Sequence, residues 1–130
     1  TELDLNSSIF TYSSAGHSPL VVYRKESDSV ELHGTKGVAV GFIKNYSYKE
    51  SSFELKNGDI VLFYTDGIIE CENKRRELFG TQRLLDVVYK NKNLSSKEIK
   101  EKILEAIEDF RQDYEQNDDI TFVILKSVKK

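Results

Sequence analysis

Residues Asp59–Glu70 read Asp-Ile-Val-Leu-Phe-Tyr-Thr-Asp-Gly-Ile-Ile-Glu, and the rest of the chain is arranged around them. Ile60–Tyr64 is a continuous run of β-branched, aliphatic and aromatic residues, which predicts a strand buried on both faces. The run is followed by Asp66, whose carboxylate is unfavourable there unless a cation, hydrogen-bond donors or a metal pairs with it. Gly67 permits a sharp turn or a close approach to a ligand, and Glu70 returns to the side of Asp66 if the chain coils. Two interpretations stay open: a surface aspartate in an ordinary turn, or a metal or phosphate site at the end of a strand.

The composition excludes several classes of protein. A chain of 130 residues forms one domain at most and can bury a real core. Its net charge of −3 gives no reason to expect nucleic acid or an anionic membrane as a partner. Neither an apolar run of membrane-spanning length nor the apolar segment of a signal peptide is visible in residues 1–130. Cys71 is the single cysteine, which excludes an internal disulfide and a cysteine-based zinc site and favours a reducing, cytoplasmic location. Because the chain begins with Thr1, we expect a processed or excised piece of a longer protein.

The first third of the chain has the pattern of short strands. Ile9–Ser13 and Leu20–Arg24 are predicted strands, joined by Ser14–Pro19, which has the Gly and Pro of a tight connection. A further strand is predicted at Val30–Leu32, so the opening is expected to form an antiparallel meander. His17, in the first connection, is a candidate ligand or acid–base group, with a purely local hydrogen-bonding role as the alternative.

The segment before the central strand predicts its neighbour. Apolar and polar residues alternate from Tyr46 to Leu55, as in half-exposed strands. Asn57-Gly58 then gives a strong hairpin signal, which predicts that Ile60–Tyr64 pairs with the strand just before it. The glycines between His33 and Gly41 match neither the dinucleotide fingerprint nor the P-loop, so a nucleotide-cradling loop is rejected.

Helices and a last strand are predicted in the second half. An exposed loop is expected over Cys71–Glu77, and helical periodicity begins near Phe79. Ser95 and Glu98 form a capping box, and a clear apolar stripe over Ile99–Phe110 is expected to pack on a sheet. The chain closes with Thr121–Leu125, a second apolar strand.

Carboxylates stand at the ends of both apolar strands. If the strands are antiparallel neighbours, Asp66 and the pair Asp118-Asp119 share one rim of the sheet. Such carboxylates repel one another unless they share a proton or a divalent cation. Oxygen ligands, without cysteines or a ligand-spaced histidine pair, favour Mg²⁺ or Mn²⁺ over Zn²⁺. The alternative is that Asp118-Asp119 forms only the turn between a helix and a strand.

Five motifs, in this order, resemble those of the bacterial metal-dependent (PPM-type) protein phosphatases in their SpoIIE/RsbU-like branch. They are Tyr12–Pro19, Gly37–Gly41, Leu62–Glu70, Glu77–Gly80 and Asp118–Thr121. The resemblance implies an α+β fold, the four-layer α-β-β-α sandwich of two mainly antiparallel sheets flanked by helices. It also implies that residues 1–130 form the C-terminal part of a single phosphatase domain. The family's Gly-Asp strand and Asp-x-Ser-Gly-His-Gly turn, which carry its other ligands, do not occur here.

The resemblance also implies roles for individual residues. Asp66 and Asp118 correspond to catalytic metal ligands, with Asp119 as the ligand if the register differs by one. Gly67, Glu70 and His17 are expected to support these ligands rather than to bind metal themselves. The sequence departs from the family at Ala39, where proline is usual, and at Ser18, where the first of two prolines often stands.

The function implied is hydrolysis of phosphoserine or phosphothreonine on a regulatory protein, such as an anti-sigma-factor antagonist, by water activated between two Mn²⁺ or Mg²⁺ ions. The basic group Lys74, Arg75 and Arg76 is expected to affect substrate access. By itself the piece is expected to be inactive, to bind metal weakly, and to form a homodimer or exchange strands. One alternative is a non-catalytic regulatory or protein-binding module that keeps the fold without a complete metal site. A haloacid-dehalogenase-like nucleophile is disfavoured, because it needs a carboxylate where Ile68 stands.

Overall fold

The computed structural model describes residues 1–112, 114–115 and 118–128. These residues form two antiparallel sheets and three helices. One sheet has three strands in the order β1-β2-β5, and the other has four in the order β4-β3-β6-β7. The strands are β1 Glu2–Asp4, β2 Ile9–Ser13, β3 Leu20–Arg24, β4 Ser29–His33, β5 Glu50–Glu54, β6 Ile60–Tyr64 and β7 Phe122–Lys126. The helices are α1 Asp66–Ile69, α2 Gly80–Lys90 and α3 Ser96–Arg111.

The central strand β6 connects two apolar clusters, as its continuous apolar sequence predicts. Ile60, Leu62 and Tyr64 face the helices, in a cluster that contains Leu84 and Val88 of α2 and Ile99, Ile103 and Ile107 of α3. Val61 faces the other way, toward the three-stranded sheet, together with Phe10, Tyr12 and Leu55. Alternate residues of one strand therefore fill two different cores, and the strand is buried on both faces.

The helices all contribute to the cluster on the outer face of the four-stranded sheet. The predicted capping box is confirmed, because Ser95 accepts a hydrogen bond from the Glu98 amide at 3.3 Å and the Ser95 amide donates to the Glu98 carboxylate at 2.9 Å. Among the described residues, three of the four expected layers are therefore built: sheet, sheet and helices. Within the same described ranges, no helix is both long and apolar enough to cross a membrane.

The predicted hairpin at Asn57-Gly58 is wrong. Strand β5 pairs with β2 in the three-stranded sheet, whereas β6 pairs with β3 and β7 in the other. The chain crosses between the sheets at this turn, and buried Asp59 fixes the crossing. Its carboxylate pairs with Arg24 at 2.9 Å and accepts hydrogen bonds from the amides of Lys25 at 2.9 Å and Lys56 at 3.0 Å.

The predicted meander holds only in part. Strands β3 and β4 form a hairpin, but β2 and β3 belong to different sheets. Phe10 and Tyr12 face Leu20 and Val22 across the core between the sheets, so burying these side chains separates the two strands.

Two further strand predictions are confirmed only in part: one strand is shorter than its sequence pattern, and the other is partly exposed. Only Glu50–Glu54 of the alternating segment forms a strand, and the rings of Tyr46 and Tyr48 pack against each other before it, with centroids 4.9 Å apart. The last strand lies at a sheet edge, where Val123 is 58% exposed, so its apolar sequence does not make it fully buried.

Candidate metal centre

The ends of β6 and β7 meet at one rim of the four-stranded sheet. The ladder pairs Tyr64 with Phe122. It continues one step further, since the Thr65 amide donates to the Thr121 carbonyl at 2.9 Å and the Thr121 amide donates to the Thr65 hydroxyl at 3.1 Å. Strands β6 and β7 are antiparallel neighbours, so the condition under which the carboxylates share one rim is met. Asp66 follows the end of one, and Asp118-Asp119 precedes the start of the other.

Gly67 lies directly against the backbone of the opposite segment. A Cβ atom at this position would lie 2.3 Å from the Asp119 carbonyl oxygen, 3.1 Å from its carbonyl carbon and 3.7 Å from the carbonyl carbon of Asp118. Both distances to Asp119 are shorter than an ordinary contact, so a side chain would push the two segments apart. The missing side chain therefore permits the close approach of the carboxylate-bearing segments.

The carboxylates themselves face solvent. Asp66 begins the short helix α1, whose turn closes when the Glu70 amide donates to the Asp66 carbonyl at 2.8 Å. The chain thus coils after the glycine, as expected, and Glu70 is exposed. Asp118 accepts a hydrogen bond from the amide of Asp119 at 2.8 Å, and both residues are exposed.

The donor chemistry suits a hard divalent cation, but the set is incomplete. Asp66 and Asp118 offer only oxygen atoms, which Mg²⁺ and Mn²⁺ prefer. Within the described ranges, no group of three or more His, Cys, Asp or Glu residues is placed to hold a metal ion. These cations take about six oxygen ligands, so the two aspartates alone would not complete such a site.

Two residues, Tyr64 and Ser18, interact with the carboxylate of Asp66. Below it lies Tyr64, where burial, and secondarily the charge of Asp66, raises the pKa of the phenol. Beside it, the hydroxyl of Ser18 donates a hydrogen bond to Oδ1 of Asp66. Sequence reasoning gave Ser18 no functional role. The only available signal was its departure from the proline that is usual in the resembled motif.

Hydrogen bonds of Ser14 stabilise the turn that contains Ser18. The Ser14 amide donates to the Thr35 hydroxyl at 2.8 Å, and the Ser14 side chain contacts both backbone groups of His17 at 3.1 and 3.2 Å. A Cβ on Gly37 would lie 2.1 Å from the Ser14 carbonyl oxygen, so the segment that contains Gly37 packs closely on this turn. His17 is exposed, with Nδ1 3.2 Å from the Ser18 carbonyl oxygen. This is the local bonding named above as the alternative, and a supporting role at the metal site stays a prediction.

The basic group lies on a closed turn rather than a loose loop. Asn73 accepts hydrogen bonds from the amides of Arg75 at 2.9 Å and Glu77 at 3.1 Å, and a bridge between Glu72 and Leu78 closes the segment. Lys74, Arg75 and Arg76 are exposed on it. The expectation that the whole segment is exposed is wrong at its first residue, because Cys71 is buried in the helix-side core.

A cavity of about 330 Å³ opens between the two sheets beside the rim. Its surface is mainly apolar and includes Tyr12, Phe63 and Phe122, and Ser18, which contacts Asp66, also lines it. The predicted ligand Asp66 therefore stands next to a recess rather than on a flat surface.

The described residues form two stacked antiparallel sheets with helices on one outer face, and carboxylate-bearing segments meet at the ends of two strands. The chain belongs to the SpoIIE family, because the family described as Stage II sporulation protein E (SpoIIE) matches residues 1–128. Phosphoserine phosphatase RsbU from Bacillus subtilis is 30% identical over 119 residues, which are 90% of this chain and 34% of RsbU. The resemblance to the SpoIIE/RsbU-like branch is thereby confirmed, and the chain spans about a third of the length of that relative.

Solved structures show the same fold. The SiaA-PP2C domain of Pseudomonas aeruginosa superimposes with a TM-score of 0.80 at 20% identity, over 95% of this chain and 48% of that one. The phosphatase domain of SpoIIE from Bacillus subtilis, from a crystal presoaked in Mn, gives a TM-score of 0.67 at 22% identity, over 99% of this chain and 55% of that one. The expected fold is confirmed for the part of the domain that this chain forms.

Proposed function

We propose that residues 1–130 form the C-terminal part of a metal-dependent protein serine/threonine phosphatase domain. The observation that carries the proposal is the close approach of Gly67 to the Asp119 carbonyl, which brings Asp66 and Asp118 to one rim. The name of the relative RsbU, a phosphoserine phosphatase, supports the reaction. The substrate proposed is a phosphorylated regulatory protein, such as an anti-sigma-factor antagonist.

Asp66 and Asp118 are the residues that would hold Mn²⁺ or Mg²⁺, with Asp119 in place of Asp118 if the register differs. The manganese soak of the SpoIIE crystal supports the choice of cation. When bound, such ions supply an activated water and neutralise the charge of the phosphoryl group. The chain's own residues act by placement. Gly67 keeps the two segments together, and the hydrogen bond from Ser18 orients one carboxylate oxygen of Asp66.

Lys74, Arg75 and Arg76 are proposed to act on the protein substrate and not on the chemical step. Their turn follows α1, which begins with Asp66, and the hydrogen bonds of Asn73 hold it closed. Exposed charges at the rim of a binding surface mainly accelerate the encounter of partners and make it depend on salt. A phosphorylated, acidic partner carries the opposite charge and would be attracted to this group.

The piece by itself is proposed to be inactive, to bind Mn²⁺ weakly and to self-associate. Two aspartate side chains leave most positions around a divalent cation to water, so neither tight binding nor a correctly spaced metal pair is expected. Val123, 58% exposed on the edge strand β7, favours association or strand exchange between copies. Calorimetry with Mn²⁺ and light scattering of the isolated piece test these statements.

The experiment that tests the proposed function is Asp66→Asn in the complete protein. The amide has the same shape but removes one negative ligand, so hydrolysis of both a phosphoprotein and a small aryl phosphate should fall by orders of magnitude. Asp86→Asn, at an exposed aspartate of α2 that pairs with Gln82, is the matched control and should keep full activity. Near-normal turnover of Asp66→Asn at saturating Mn²⁺ would refute the ligand assignment. A complete wild-type protein that neither binds Mn²⁺ nor hydrolyses either substrate would favour the non-catalytic module.

A further inference from the structure

We propose that Ser18 is a positioning residue for Asp66, whose hydroxyl fixes one carboxylate oxygen so that the other is presented to the divalent cation. This inference rests on the proposed function, because it takes Asp66 as a metal ligand. The two residues are 48 positions apart and come from different parts of the fold. Ser18 lies in the connection between β2 and β3, and Asp66 follows the end of β6.

The contact restricts a side chain that is otherwise loosely held. Asp66 is exposed, and the terminal torsion of an aspartate is broad, so a carboxylate at the surface samples many orientations. A hydroxyl that donates to an ionised carboxylate makes a charge-assisted hydrogen bond, roughly twice as strong as a neutral one. Because Oδ1 accepts this bond, Oδ2 is the atom left without that partner. The carboxylate is then prepared to bind a cation through one oxygen.

The donor is suited to a metal site because it is neutral. A lysine or arginine in this position would also orient the carboxylate, but its positive charge would oppose a divalent cation. A serine hydroxyl restricts the rotation of Asp66 and adds no charge. Hydrogen-bond partners of metal-ligating side chains typically change metal affinity or activity by about 10–100-fold when they are removed.

Ser18 is itself held in place by its surroundings. Pro19 follows it, and a residue before proline is restricted to extended backbone conformations. On the other side, Ser14 contacts the backbone of His17, and Gly37 packs against the Ser14 carbonyl. The hydroxyl therefore projects from a supported turn, which is the condition for it to orient a neighbour.

The proposed role is a property of this chain rather than of the motif it resembles. The SpoIIE/RsbU-like motif often has proline at this position, and a proline side chain donates no hydrogen bond. Ser18→Ala removes the donor with little change in volume. Ser18→Thr and Ser18→Val form an isosteric pair that differs only in the presence of the hydroxyl, and β-branched residues suit an extended backbone.

The test measures Mn²⁺ binding to the complete protein by titration calorimetry without substrate. We expect Ser18→Ala and Ser18→Val to weaken Mn²⁺ binding by about 10-fold or more, whereas Ser18→Thr stays close to wild type. In activity assays the Mn²⁺ concentration for half-maximal rate should rise with little change in the rate at saturation. Ser27→Ala is the matched control, since its hydroxyl pairs with Ser29 at 2.7 Å in the turn between β3 and β4.

The outcomes separate the two proposals. Equal Mn²⁺ affinity of the Thr and Val variants, in a protein whose affinity collapses on Asp66→Asn, would overturn the role of Ser18 and leave the proposed function standing. Unchanged affinity in Asp66→Asn would overturn both. The isosteric pair keeps the test decisive even if Ser18→Ala lowers thermal stability, because the two variants carry the same change in shape.

Discussion

Gly67→Ala tests whether the close approach of two backbone segments builds the site. The added methyl group would lie 2.3 Å from the Asp119 carbonyl oxygen, whereas ordinary van der Waals contact begins at 3.4 Å. The two segments must therefore separate by about 1 Å, and the obstacle is backbone rather than a flexible side chain. Gly67 is buried, so the methyl group cannot turn toward solvent. Inserting a methyl group into a tightly packed position typically costs about 1–3 kcal/mol.

The expected result is a loss of activity out of proportion to the loss of stability. Asp66 and Asp118 lie on opposite sides of the widened contact, so their separation changes by a similar distance. A misplacement of about 1 Å can reduce a catalysed rate by about 100-fold. In the complete protein we expect hydrolysis of an aryl phosphate to fall by about that factor and Mn²⁺ binding to weaken, while urea denaturation shows a cooperative transition at a lower midpoint.

Gly41→Ala is the control for this experiment. Gly41 has a φ of +91°, so alanine is strained there, but apart from the adjoining residues no atom of the described chain lies within 4 Å of the added carbon. The variant should lose about 1 kcal/mol of stability and keep its Mn²⁺ dependence. If Gly67→Ala retained wild-type Mn²⁺ affinity and turnover, the contact between Gly67 and Asp119 would not be what sets the distance between the carboxylates.

Three further predictions concern the crossing, the pH dependence and the basic turn. Asp59→Ala should lower the free energy of unfolding by about 3 kcal/mol, because Arg24 loses its buried ion-pair partner and the amides of Lys25 and Lys56 lose their acceptor; an unchanged urea midpoint would contradict this. The hydrogen bond from Lys92, followed by those from Tyr23 and Tyr89, lowers the pKa of Asp28 below its usual 3.8. The stabilisation it provides is therefore complete above pH 3.8 and is lost as the pH falls through the lowered pKa, and Asp28→Asn should flatten the fall of the urea midpoint below that pH. Reversing the charge of Lys74 and Arg75 should raise KM for a phosphoprotein and leave aryl phosphate hydrolysis nearly unchanged, and equal losses on both substrates would argue against a role in encounter.

The elements that the sequence predicted best are those decided by local chemistry. The continuous apolar run of Ile60–Tyr64 predicted a strand buried on both faces. This is confirmed, since β6 contributes side chains to the apolar clusters on both of its faces. The Ser95–Glu98 capping box marks the start of α3 through contacts three residues apart. The shared rim was predicted only on the condition that the two apolar strands are neighbours, and the pairing of β6 with β7 meets that condition.

The errors arose where a distant partner overrides a local signal. Asn57-Gly58 has the sequence of a hairpin turn, yet the strands on either side of it enter different sheets. The deciding contacts are those of Asp59 with Arg24, 35 residues away, and with the amide of Lys25. No pattern around Asn57 contains that information, because a turn motif constrains the reversal of the chain and not the strand with which the chain then pairs.

The same reasoning explains why the glycines of this chain were informative only in part. Their spacing matches no loop that cradles nucleotides, but it did not indicate what the glycines do. At Gly37 and at Gly67 the space of a side chain is filled by a carbonyl oxygen, of Ser14 in one case and of Asp119 in the other. The first contact supports the turn that presents Ser18, and the second brings Asp118 to the rim where Ser18 holds Asp66. Two close backbone contacts therefore determine where the carboxylates stand, so the geometry of the proposed metal site depends on residues that carry no ligand atoms.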